Sequence, residues 1–239
     1  MRKGHRVRTQ PEIDGVAVVL RGNFNPAIFT PAWFVLHELL PNTAADTATL
    51  QVAHAQVTQF SFDWLSLQVT TDRFVAETAQ APYIRVRDLV LRVFKEYLHH
   101  TPLRLMGINR NVYVPVANLV ELDRIGRTLA PVEPWGCYVE ELELDAEFGG
   151  MTTLKMSQLR PKGRPPGSEI NVTVGPSHRI SGGELGVYVQ VNDQYAIQDA
   201  ESADGTRLMQ FLGDEFEVAL RRSQGIVDHI LSLAKENQH

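Results

Sequence analysis

Between about Thr206 and Lys235 apolar side chains recur at helical spacing: Leu208, Phe211, Leu212, Phe216, Ala219, Ile226, Ile230 and Ala234. A single helix of about eight turns carrying one apolar stripe is not stable in isolation. Its stripe must be buried against a second layer. The segments upstream are rich in short β-branched and aromatic runs, so the layer expected beneath it is a sheet, and the class is α+β.

The first half of the chain reads as alternating strands and helices. Val16-Ala17-Val18-Val19-Leu20 is a short apolar run bounded by glycines, which predicts a strand over Ile13–Gly22. Asn23-Phe24-Asn25-Pro26 is a turn. Thr30-Pro31 is an N-cap with proline at the first helical position. That helix carries Trp33, Phe34, Leu36, Leu39 and Leu40 and stops at Pro41-Asn42. Leu50–Phe60 reads as a second strand and Trp64–Thr70 as a third, extended through Phe74 and Val75. Ile84–His99 places Leu89, Val90, Val93, Phe94, Tyr97 and Leu98 on one helical face, and Leu103–Pro115 is extended. This β-α-β-β-α-β order is the plan of a ferredoxin-like unit. The second half reads as four extended runs, Tyr138–Phe148, Thr152–Arg160, Glu169–Val174 and Leu185–Ile197, before the long helix. The expected fold is therefore a ferredoxin-like N-terminal half followed by a four-stranded antiparallel sheet and a long C-terminal helix. Its divisions are a basic tail over 1–12, the β-α-β-β-α-β half over 13–117 and the sheet-plus-helix half over 118–239, the halves packing as one unit.

One register follows from alternation. Leu142, Leu144, Ala146 and Phe148 alternate with Glu141, Glu143, Asp145 and Glu147 ahead of Gly149-Gly150. A three-residue loop including Met151 pairs Leu144 with Met156 and Asp145 with Lys155, whereas a two-residue loop puts Lys155 on the apolar side.

Composition narrows the function classes. The 239 residues hold one cysteine, Cys137, which excludes an intramolecular disulfide and a cysteine-based zinc site and fits a reducing compartment. The basic start, Met1 to Arg8, is not followed by the apolar stretch of a secretory signal, and no run is long enough to span a bilayer. These features predict a cytoplasmic protein. A net charge of −5 argues against a protein whose main task is holding duplex nucleic acid.

Three groups of side chains are binding candidates. The acidic stripe Glu141, Glu143, Asp145 and Glu147 suits an interface with a basic partner; neighbours on one strand face sit about 7 Å apart, too far to share one ion. The loop Arg160-Pro161-Lys162-Gly163-Arg164-Pro165-Pro166-Gly167 gathers Arg160, Lys162 and Arg164 where phosphate, an acidic protein face or single-stranded nucleic acid would be met. Asn109 and Arg110 place polar groups in a strand that otherwise reads as buried, where they must find partners. The histidines show no metal-ligand spacing, and no nucleophile elbow or phosphate-cradling glycine loop is present, so no catalytic residue, metal or cofactor is assigned.

The run from Leu103 to Pro115, Leu-Arg-Leu-Met-Gly-Ile-Asn-Arg-Asn-Val-Tyr-Val-Pro, resembles the "LRYINR…IP" strand of a sporadically distributed family of uncharacterised bacterial proteins. The matching residues are Ile108-Asn109-Arg110 and Pro115; Met106-Gly107 departs from the pattern. The family's strand-rich second half and terminal helix are similar to the order read here, and the resemblance implies no enzymatic activity. The expectation is a non-catalytic binding or interaction protein, a sensor, adaptor or assembly subunit, that self-associates as a homo-oligomer. One alternative is a small-ligand protein with a cavity between sheet and C-terminal helix, with hydrolase activity. Another is single-stranded nucleic-acid binding through the 160–167 loop.

Overall fold

Two-residue turns without glycine cut the apolar stretch after Ala48 into a meander of four strands. They fall at Ala55-Gln56, Asp63-Trp64 and Thr71-Asp72, and Asp63 takes the left-handed conformation (φ 47°) that aspartate tolerates better than most residues. In a computed structural model, which describes residues 10–147, 149–181, 185–197 and 205–234, the strands are β1 (Ile13–Gly22), β2 (Thr49–His54), β3 (Val57–Phe62), β4 (Leu65–Thr70), β5 (Arg73–Thr78), β6 (Leu103–Pro115), β7 (Leu154–Leu159), β8 (Ser168–Ser177) and β9 (Gly186–Ala196). The helices are α1 (Pro31–Leu36), α2 (Ala44–Thr47), α3 (Ile84–Arg92), α4 (Leu119–Leu129) and α5 (Thr206–Ser232).

These strands form one antiparallel sheet of nine in the order β2-β3-β4-β5-β1-β6-β9-β8-β7. The expected ferredoxin-like half and separate four-stranded sheet are not formed. The cause is local: Leu50–Phe60 is a hairpin rather than one strand, and Trp64–Val75 is another. The order across the first half is β-α-α-β-β-β-β-α-β, with every pair antiparallel. The helix at Thr30-Pro31 starts as expected, Thr30 Oγ1 accepting from the Trp33 amide at 3.2 Å, but ends at Leu36 because Glu38 adopts φ 53°.

The expected strand over Tyr138–Phe148 is also absent from the described residues. Glu133–Glu141 is a 3-10 segment interrupted at Gly136 (φ 68°), and an irregular stretch follows. A strand there would align four carboxylates with only Lys155 opposite them. Instead the Leu144 carbonyl accepts from Arg127 Nη2 at 3.2 Å, which ties the segment to α4. The proposed pairings of Leu144 with Met156 and Asp145 with Lys155 do not form, and Met151 packs against Gly126 of α4. Residues 1–9 of the basic tail, Phe148, the Gly182-Gly183 pair and Lys235 lie outside the described residues.

The topology repeats itself. Each half runs strand, short helices, meander, helix: β1, α1 and α2, β2 to β5, α3; then β6, α4, β7 to β9, α5. In each half the first strand lies beside the last strand of its own meander. The two first strands pair antiparallel over Ile13–Gly22, with Val18 opposite Ile108. The order therefore has the symmetry of a two-fold rotation about an axis between β1 and β6. One difference breaks it: the first meander has four strands and the second has three.

The five α-helices of the described residues serve one face. Val16, Val18, Leu20, Phe74 and Phe60 on the strands pack with Phe34, Leu89, Leu212 and Phe216. Val112, Val114, Val189, Val191 and Val174 pack with Leu122, Ile125, Val227 and Ile230. Each such side chain taken out of water stabilises the fold by about 1.5–3 kcal/mol. The interface between the sheet and α5 is filled by Leu208, Met209, Leu212 and Phe216, each fully buried.

Candidate binding surface

Side chains alternate along a strand, so every residue between the core positions points to the opposite face. The described helices place no layer there. The register makes this face orderly. One row crosses all nine strands: Thr49 (β2), Ser61 (β3), Ser66 (β4), Glu77 (β5), Ala17 (β1), Asn109 (β6), Asn192 (β9), Asn171 (β8) and Ser157 (β7). None of these is a large apolar residue. Neighbouring rows add Gln59, Gln68, Asn111, Gln190 and Gln194.

The amides bond to one another across the strands. Ser157 Oγ donates to Asn171 Oδ1 at 2.6 Å. Gln190 Nε2 and the Tyr188 hydroxyl donate to Asn111 Oδ1 at 2.9 and 3.0 Å. Gln194 Nε2 donates to Glu169 Oε2 at 3.2 Å, and Gln68 Nε2 to Gln59 Oε1 at 3.3 Å. At the centre, Asn109 and Asn192 flank Gly107: a Cβ on that glycine would lie 3.1 Å from Asn192 Oδ1 and 3.2 Å from Asn109 Nδ2. Asn192 Oδ1 is shielded from solvent and has no hydrogen-bond partner. The face ends in a stacked pair, Tyr113 and Tyr188, with ring centroids 4.7 Å apart. Arg179 lies over Tyr113 and donates to its hydroxyl at 3.2 Å. Burial, helped by the neighbouring Tyr113 and Glu77, pushes the Tyr188 phenol up to about 12.

The residues singled out from sequence are divided by the fold. Asn109 sits in the central amide row, 6% exposed. Arg110, one residue on, points into the core face and forms a two-pronged pair with Asp14, at 2.9 and 2.5 Å. Arg164 folds back from the 160–167 loop and pairs with Asp193, which also takes Arg222 Nη1 at 2.8 Å. Its guanidinium stacks 4.7 Å from the Tyr195 ring, while its Nε and Nη2 find no partner. Burial raises the Tyr195 phenol. The loop therefore presents Arg160 and Lys162 to solvent, with Arg164 neutralised inside. Glu141, Glu143, Asp145 and Glu147 are all exposed; Glu141 ends the 3-10 segment and the other three lie on the irregular stretch after it, not on one strand face.

Asp14 and Asp193 supply the charge partners of the buried Arg110 and Arg164 side chains, Arg222 is a second partner of Asp193, and no motif in the sequence marks the three. Strand parity carries the signal: Asp193 alternates in phase with Val187, Val189, Val191 and Tyr195, and Arg110 with Ile108, Val112 and Val114. Asn111, Asn171, Gln190, Asn192 and Gln194 form the complementary phase. Among the described residues no group of three or more His, Cys, Asp or Glu side chains is placed to hold a metal ion, and no helix is long and apolar enough to cross a membrane. No protein-family model matches the chain, and no curated protein does.

Proposed function

We propose that this chain is a non-catalytic binding protein that self-associates, and that the amide-rich face on which the described helices place no layer is the surface it uses. The row from Thr49 to Ser157 carries this reading. A side-chain amide offers both donors and an acceptor, so a face tiled with amides is complementary to a second copy of itself under two-fold symmetry. Its few charges include both signs, with Arg73, Lys155, Glu77 and Glu169 interspersed, so two copies meet without a strong like-charge field. The exposed, unpaired Cys137 supports a reducing compartment such as the cytoplasm, and the LRYINR-like strand supports a place beside that bacterial family.

Sedimentation velocity over a concentration series tests it. The parent chain should show a concentration-dependent oligomer. The double variant Q68R/T173R, which adds a bulky charge in each half of the face, should remain monomeric at an unchanged Tm. A parent chain that stays monomeric throughout would refute self-association.

A second reading rests on a cleft of about 340 Å³, of the size that small ligands occupy. It has an apolar floor of Phe24, Ile28, Phe29 and Leu98 and a rim of Asn23, Asn25, His99 and His100. The π-helical turn Val93–Tyr97 that forms one wall is a feature common at functional sites. A co-purified small molecule seen by native mass spectrometry and lost in Ile28→Trp would support it.

A further inference from the structure

We propose that the outer edge of β7 is a docking site for an extended acidic segment of a partner protein, which joins the sheet there as a further strand. The internal two-fold points to the place. In the first half β3 is covered by β2, and its core-facing Thr58 and Phe60 are 1% and 0% exposed. Its counterpart β7 has no strand on that side among the described residues, and Met156 and Leu159 are 40% and 61% exposed.

The hydrogen-bond phase of β7 is fixed by its inner neighbour. The Arg160 amide donates to the Ser168 carbonyl at 3.1 Å, which makes that a hydrogen-bonded pair. Pairing then alternates, so the backbone groups of Gln158, Met156 and Leu154 face β8. Those of Lys155, Ser157 and Leu159 face outward, giving three amides and three carbonyls in a row, of which the Leu159 carbonyl accepts from the exposed Gln158 Nε2 at 3.0 Å, a bond an incoming strand would replace. An incoming strand would take up these bonds and cover Met156 on one face and Leu159 on the other, the mode of recognition in which main-chain bonds give affinity and alternate side chains give specificity.

Charge selects the occupant. Lys155 on the strand, with Arg160 and Lys162 just beyond it, are exposed and have no ion-pair partner among the described residues. Two β7 edges paired with each other would crowd these cations together. An acidic strand would instead set carboxylates about 5 Å from Lys155.

The test uses the full chain and two labelled heptapeptides in fluorescence anisotropy, one alternating glutamate with valine and the other lysine with valine. The acidic peptide should bind, more weakly as salt rises, and the basic one should not. Ser157→Pro removes an outward amide, and with it the side-chain bond to Asn171, but leaves the β7–β8 backbone ladder in place, and should weaken binding about tenfold, the loss of one or two hydrogen bonds. K155E/R160E should lose the acidic peptide and gain the basic one. Failure of the acidic peptide to bind, or equal binding by Ser157→Pro, overturns the proposal. A peptide that dissociates an oligomer which Ser157→Pro also abolishes would make a second copy the occupant, and overturns it too. Gln68→Arg alone, on β4 in the other half of the sheet, leaves this edge intact and should bind the peptide as the parent does, so failure here is separable from failure of the amide-face reading.

Discussion

Asp193→Asn should be among the most damaging single substitutions available in this chain. Asp193 is 1% exposed and is the partner of both Arg164 and Arg222, whose side chains are 3% and 26% exposed. The figure of about 0–1 kcal/mol for surface ion pairs does not apply at such burial. Removing the carboxylate leaves the Arg164 guanidinium with no counter-charge and no route to water, and breaking a buried pair in this way costs about 3–5 kcal/mol. For a chain of this length that corresponds to a fall in Tm of about 6–20 °C. Arg222 contributes little to the loss because it can turn to solvent.

The reverse perturbation is informative. Arg164 already leaves Nε and Nη2 without partners, each such buried N–H costing about 1–3 kcal/mol. Arg164→Met keeps the Asp193–Arg222 pair and should therefore cost about 1 kcal/mol or less. The double variant D193N/R164M, with the buried cation gone, should recover most of the stability lost in Asp193→Asn. Urea unfolding of the four proteins, followed by tryptophan fluorescence, gives the cycle directly. If Asp193→Asn unfolds within about 1 kcal/mol of the parent, or if the double variant is as unstable as Asp193→Asn, the account of this network as a counter-charge for a buried guanidinium is wrong.

Two glycine substitutions should act in opposite directions. Gly205 holds φ 71° and a Cβ there would sit 2.7 Å from the Leu103 side chain, so Gly205→Ala should destabilise by about 1–3 kcal/mol. Gly213 lies within α5 with nothing near its Cβ position, so Gly213→Ala should stabilise by about 0.5–1 kcal/mol, both read from Tm. In a spectrophotometric titration at the phenolate band, Tyr188 should ionise near pH 12 rather than near its ordinary 10.0. Because its folded value is raised, the stability it contributes is fully present below pH 10 and is lost as pH climbs from 10 to 12. Tyr188→Phe should flatten that part of the stability profile.

The long helix was legible because its stripe repeats over many turns, and β1, β6, β8 and β9 were legible because each is a β-branched run with clear flanks. The meander was not, because Ala55-Gln56 and Thr71-Asp72 lack the Gly and Pro that ordinarily mark a turn. His54 Nδ1 accepts the Gln56 amide at 3.3 Å in place of such a signal. Helix α4 had a readable start: Asn118 Oδ1 accepts from the Glu121 amide and Glu121 Oε2 from the Ala117 amide, both at 3.0 Å, a reciprocal cap spelled out as Asn-x-x-Glu. The stretch over Tyr138–Phe148 misled because alternation specifies a strand only when a neighbour is present to pair with it. Of the candidate surface, Asn109 is legible in sequence, yet apart from Asn111 its amide companions in that half lie on β8 and β9 and are brought beside it only by a sheet order that skips across the chain.

That sheet order also bears on whether the amide face is simply a solvated one. A face that needs only to meet water is built most cheaply from threonine, lysine and glutamate, with β-branched residues supporting the pleat. Asparagine is depleted in strands, on a scale that spans about 1 kcal/mol per position, yet Asn109, Asn111, Asn171 and Asn192 occupy three adjacent strands. Asn109 is almost fully buried, where a merely solubilising residue has no use, and Asn192 leaves an acceptor unmet. Substituting threonine at Asn171 and Asn192 should accordingly raise Tm while weakening self-association, two effects that a purely structural role for these amides would not set in opposition.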